Sequence, residues 1–161
     1  MILISACLCG VNCRYDGCVI ENQPLKKLVE LKKAIPLCPE VLGGRGVPRH
    51  PTEITGGTAD DVLCGKAKIK DIKGGDVTKE TLLGVLYVVA AVKRIGIKSA
   101  ILKTKSPACG MGEIFDGSFS NKLINGNGVL TAALLKEGVT VYTEDNCAAI
   151  VDELIDKNNY K

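Results

Sequence analysis

Four short apolar runs, at residues 2–6, 35–37, 99–103 and 139–142, alternate along the chain with segments of helical periodicity. This alternation constrains the fold more than any other feature. A strand, a covering helix and a further strand in succession build a mainly parallel sheet with helices on its faces. One helix is predicted over 24–33, with Pro24 near its start and Leu25, Leu28, Val29 and Leu31 facing inward. A longer one is predicted over 76–95, with Leu82, Leu83, Leu86, Val89, Ala90 and Ile95 as its buried stripe and Gly96 as its stop. Two more are expected at 129–136 and 145–156. Residues 43–75 are punctuated by Gly and Pro and read as a long Gly-rich insertion, with 67–72 as one arm of a small hairpin. The expected fold is α/β: a single domain over residues 1–161 with a mainly parallel, Rossmann-like sheet, flanking helices and that insertion. With no Trp and only 4% aromatics, its core must come from Val, Ile, Leu and Ala.

In such a sheet, ligands bind outside the carboxyl ends of the strands. Cys7, Cys38 and Cys109 each lie just past one of those ends. Their settings are Ser5-Ala6-Cys7-Leu8, Leu37-Cys38-Pro39-Glu40 and Ser106-Pro107-Ala108-Cys109-Gly110. Soft thiolates select zinc, copper(I) or iron–sulfur clusters. A cysteine at a strand end is also a common small core residue, so spacing alone leaves metal site and inert thiols both open. The flanking residues favour a site. Pro39 and Pro107 stiffen the backbone beside two sulfurs, and Gly10 and Gly110 allow backbone to approach a bulky group. Glu40 and Ser106 would place a carboxylate and a hydroxyl beside the thiols, as proton transfer at a bound substrate requires.

The chain has eight cysteines, no basic leader and no run of about 18 apolar residues. A cytoplasmic protein with reduced thiols and no membrane contact is expected. Cys7, Cys9, Cys13 and Cys18 are separated by one, three and four residues, which matches neither a zinc ribbon nor a ferredoxin run. A non-catalytic metal- or redox-sensing module on those four is the alternative function. His50 is the only histidine, so a hydrolase needing a second histidine as base is not expected. Pro48-Arg49-His50-Pro51 reads as exposed loop. Arg14 and Asp16 read as ordering the first loop or touching substrate. Lys103-Thr104-Lys105 reads as solvated charge, and Cys64 and Cys147 as packing or surface residues. The formal charge of +3 permits an anionic ligand without marking a nucleic-acid surface.

Several motifs taken together are more specific. They are Ser5-Ala6-Cys7-Leu8 with Arg14-Tyr15-Asp16-Gly17, then Cys38-Pro39-Glu40-Val41-Leu42-Gly43-Gly44, then Lys103-Thr104-Lys105-Ser106-Pro107-Ala108-Cys109-Gly110. With Ile114-Phe115-Asp116-Gly117-Ser118-Phe119 and Gly126-Asn127-Gly128-Val129, the chain resembles, along almost its whole length, a small family whose characterised members are iron–sulfur thiouracil desulfidases. The resemblance implies a 4Fe–4S cluster held by Cys7, Cys38 and Cys109, with one iron open to substrate. It implies catalytic roles for Glu40 and Ser106 in a non-redox, hydrolytic removal of sulfur from a thiolated base. The partner implied is a small thiolated nucleobase, with thiolated tRNA and the oligomeric state left open. Ala108 stands where the family often has Ser. Cys9 and Cys13 depart from relatives with apolar residues there, leaving open a different ligand set or substrate.

Overall fold

The computed structural model describes residues 1–156. Its central sheet has four parallel strands in the order β2-β1-β5-β8: β1 is Ile2–Ser5, β2 Ala34–Leu37, β5 Ser99–Leu102 and β8 Thr140–Thr143. Intervening strands form two small antiparallel hairpins, β3 (Thr52–Thr55) with β4 (Lys68–Asp71), and β6 (Glu113–Phe115) with β7 (Leu123–Asn125). The helices are α1 (Gln23–Glu30), α2 (Pro39–Leu42), α3 (Ala59–Leu63), α4 (Thr78–Ile95), α5 (Val129–Lys136) and α6 (Ala148–Asp156).

β1 is buried along its whole length, and its alternating side chains divide the core. Leu3 joins a cluster formed with α3, α4 and α5, while Ile2 and Ile4 join another formed with α1 and α6. Ala100 and Leu102 in β5 face the first cluster and Ile101 the second. A sheet covered on both faces accounts for strands that read as continuous apolar runs. The described residues thus form a single α/β domain; the last five residues of the expected 1–161 span lie outside them.

The predicted strands and the four predicted helices are all present, with shifted ends. Pro24 lies in the first turn of α1, and the side chain of Asn22 caps it by accepting from the Leu25 N–H at 3.2 Å. Gly96, at φ 76°, ends α4. Two expectations need correction. Residues 43–75 are not a Gly-rich insertion: they carry β3, α3 and β4, with the expected hairpin arm as β4, and α3 is started by a capping box between Thr58 and Asp61. The stripe on α4 is also displaced. Thr81, Gly84, Val85, Val88 and Val92 are buried; of the expected stripe, Leu82 and Val89 pack half-buried against the core, whereas Leu83, Leu86, Ala90 and Ile95 are exposed. The physical reason is Gly84, which faces the backbone of α2. Contact that close selects the face carrying the smallest residue, and hydropathy alone points to the larger leucines.

Candidate active site

The loops leaving β1, β2 and β5 surround one cavity of about 380 Å³. Ser5, Cys7, Cys38, Glu40, Ser106 and Cys109 all line it. Their elements explain how they arrive there. β1 passes directly into a 3-10 turn, Ala6–Leu8, which carries Cys7. β2 ends at Leu37, and Pro39 starts the single-turn α2, which leaves Cys38 at its N-cap and Glu40 in its first turn. A Cβ on Gly84 would lie 1.6 Å from the Pro39 carbonyl oxygen, and one on Gly43 would lie 1.9 Å from that of Glu80. Two glycines therefore let α2 lie against α4.

The Cys109 loop is seated on the start of α5. The carbonyls of Pro107, Ala108 and Gly110 accept from the N–H groups of Val129, Leu130 and Gly128 at 2.9, 2.8 and 2.7 Å. The Cys109 carbonyl accepts from the Thr131 hydroxyl at 2.8 Å. These bonds occupy helix N-terminal donors that would otherwise lack partners. Gly128 is required, since a Cβ there would lie 2.4 Å from the Ala108 carbonyl carbon. The Ser106 Oγ accepts from the N–H groups of Ala108 and Cys109 at 3.2 and 3.1 Å. Both acceptor positions are then used, which leaves the hydroxyl proton for donation into the cavity.

Charge is concentrated at one wall. Glu40 accepts from Arg45 Nη1 at 2.7 Å and from Arg49 Nη2 at 2.6 Å, with both guanidinium groups nearly buried. Arg49 Nη1 also donates to the Cys13 carbonyl at 3.0 Å. Lys103, which also lines the cavity, pairs with Glu144, which also accepts from the Thr104 N–H at 2.9 Å. The Ser5 Oγ accepts from the Lys103 N–H at 3.0 Å.

The thiols differ in their electrostatics. Cys13 can donate to Cys7 or to Cys38; this hydrogen bond is the main reason both are pulled down, Cys38 to about 7, and Cys13 itself pushed up. Charge from Lys103 and Arg14 further favours the Cys7 thiolate. Burial pushes Cys109 up, opposed by a hydrogen bond from Ser5. Burial also pushes Cys9 up, to about 11.

The five residues singled out in the sequence thus face one cavity. Of the alternative four-cysteine group, only Cys7 and Cys13 line it; Cys9 packs in the second core cluster and Cys18 is exposed. Arg14 forms a two-point pair with Asp16, through bonds of 3.0 and 2.6 Å, while also lining the cavity. His50 is exposed, as expected. Lys103 is not solvated charge but a partly buried cavity residue.

Sequence reading missed Ser5, Arg45, Arg49, Glu53, Phe115 and Phe119, which also belong to this region. A signal existed for two of them: Phe115 and Phe119 are the only phenylalanines in the chain. No helix among the described residues is long and apolar enough to cross a membrane.

Comparison with known proteins gives three findings. The 2-thiouracil desulfurase family matches residues 2–146. The uncharacterized protein YbbK of Bacillus subtilis (strain 168) is 49% identical over 146 residues, 90% of this chain and 96% of that protein. A solved structure of the [4Fe-4S]-dependent thiouracil desulfidase TudS is similar over 97% of both chains, at a TM-score of 0.82 and 34% identity.

Proposed function

The chain belongs to the 2-thiouracil desulfurase family, and from that membership we propose that it hydrolyses the carbon–sulfur bond of a thiolated pyrimidine. The net change is C=S + H₂O → C=O + H₂S, with no electron donor. The observation that carries this reading is the convergence of Cys7, Cys38 and Cys109 with Glu40 and Ser106 on one cavity. Its volume falls in the small-molecule range, which favours a free base over a large nucleic acid.

The donor set fits a 4Fe–4S cluster. Three soft thiols come from separate segments, and cationic Arg14, Lys103 and Arg49 stand nearby to balance thiolate charge. Among the described residues, no three His, Cys, Asp or Glu side chains close on a point as a single ion requires. Thiols spread around a cavity suit a larger group. Cys7, Cys38 and Cys109 would hold the cluster, which when bound supplies a thiophilic, Lewis-acidic iron to the substrate sulfur.

The remaining chemistry falls to the side chains. Glu40 takes the proton from the attacking water, its carboxylate fixed by Arg45 and Arg49. Ser106 donates its free hydroxyl proton to the water or to the ring. Lys103, anchored by Glu144, keeps the cavity electropositive as sulfide forms.

A second reading is favoured by one observation: Cys13 stands between Cys7 and Cys38 on the cavity wall. There it would serve as a fourth thiolate ligand, closing the open position. The test is anaerobic reconstitution, iron and sulfide counting, and an assay of sulfide release from 2- and 4-thiouracil. Release with a full cluster supports the hydrolase. A full cluster without release from any thiolated base overturns it.

A further inference from the structure

Glu53 lies on β3, is 7% exposed and lines the cavity. Its Oε2 accepts from the N–H groups of Gly117 and Phe119 at 2.8 and 3.1 Å. Its Oε1 has no hydrogen-bond partner among the described residues, and no ion pair involves this carboxylate. No sealed side-chain oxygen or nitrogen among those residues lacks a partner, so Oε1 is open to solvent, on a residue that lines the cavity. A nearly buried carboxylate with one idle oxygen is costly unless something supplies a donor.

The loop held by Oε2 is itself unusual. Phe119 and Asn121 adopt φ 57° and 61°, and Lys105, which also lines the cavity, adopts 60°. Left-handed backbone at residues other than glycine concentrates at ligand sites, where surrounding contacts hold it in place. Gly117 packs on the β3 backbone so closely that a Cβ would lie 2.4 Å from the Ile54 carbonyl oxygen. This arrangement brings both phenylalanines of an aromatic-poor chain onto one cavity.

We propose that Glu53 selects the substrate: its Oε1 accepts a ring N–H of the pyrimidine while its Oε2 holds the 117–119 loop so that Phe119, with Phe115, packs on the ring face. The ligand class is a planar heterocycle with an N–H beside a carbonyl or thiocarbonyl. The inference rests on the pyrimidine reading above but concerns recognition rather than sulfur chemistry. A site built to bond an N–H discriminates strongly against an analogue that lacks it, because its acceptor is left unpaired.

The test is calorimetric binding of uracil, 1-methyluracil and 3-methyluracil to the cluster-loaded protein. One methylated isomer is expected to bind at least tenfold more weakly than uracil, the other much less affected. Glu53→Gln, which presents an amide in place of the idle carboxylate oxygen, should abolish that difference between isomers. Phe119→Ala should weaken all three alike and keep the preference. Equal binding of all three by the unaltered protein, or no binding of any, overturns the proposal without recourse to a variant. An unchanged isomer preference in a folded Glu53→Gln protein also overturns it. Failure to release sulfide from thiouracil would instead count against the hydrolase reading, so the two failures are distinguishable.

Discussion

The carbonyl oxygen of Pro39 occupies the space that any side chain on Gly84 would need, 1.6 Å from an ideal Cβ. Gly84 lies in the middle of α4, where glycine ordinarily costs about 1 kcal/mol relative to alanine. Here alanine cannot be accommodated unless α2 moves, and α2 carries Glu40 beside Cys38. Gly84→Ala is expected to destabilise the fold by about 3 kcal/mol or more. Thermal melts and cluster content measured together check this; an unchanged melting temperature with a full cluster would show that α2 relaxes freely.

Glu40→Gln removes the proposed proton acceptor while keeping its volume. The expected outcome is a full cluster with turnover lower by about 10²–10⁴-fold, the range for loss of a general base. Iron counting and sulfide release check the two halves separately. Wild-type turnover would remove Glu40 from the reaction.

Cys13→Val separates the two readings of the thiol cluster. If Cys7, Cys38 and Cys109 suffice, the variant keeps four irons and its activity. If Cys13 closes the fourth position, the variant loses one iron on mild oxidation much faster than the wild type. Electron paramagnetic resonance of the oxidised samples reads that loss directly. Cys7→Ala is expected to lose the cluster in either case.

Glu144 ties the end of β5 to β8. Burial pushes its carboxyl up, but Lys103, the Glu144 N–H and the Thr104 donors outweigh this and hold it below the ordinary value of 4.5. A depressed carboxylate contributes stability that is complete above its unfolded value and is lost as pH falls through the folded one. Melting temperatures of the wild type should therefore fall more steeply below about pH 4.5 than those of Glu144→Gln. Parallel curves would show that the pair adds no pH-dependent stability.

Elements with strong local signals were legible in the sequence. The inner strands β1 and β5 are buried almost throughout and the edge strands β2 and β8 in part, so their apolar runs stand out, and Pro24 and Gly96 mark helix ends by well-understood backbone constraints. Cys7, Cys38 and Cys109 were legible because strand-end positions in a parallel sheet share one edge. The arginines around Glu40 were not: Arg45 and Arg49 lie in a segment whose Gly and Pro content reads as loop, and only tertiary folding turns them inward. The α4 stripe failed for a related reason. Burial there follows the backbone contact at Gly84, and Leu83 and Leu86 are left outside. Glu53 gave no signal, because an acidic residue in a short polar strand ordinarily faces solvent.

The seating of the Cys109 loop on α5 has a consequence for how the protein is made. Cys7 is synthesised before the Cys109 loop, and that loop depends in turn on donors from Gly128, Val129, Leu130 and Thr131, synthesised later still. A nascent chain stopped before α5 would carry the loop with its four carbonyl groups unanchored. The three-thiol site is then complete only once α5 has been made, and truncation before α5 should leave the protein unable to take up the cofactor.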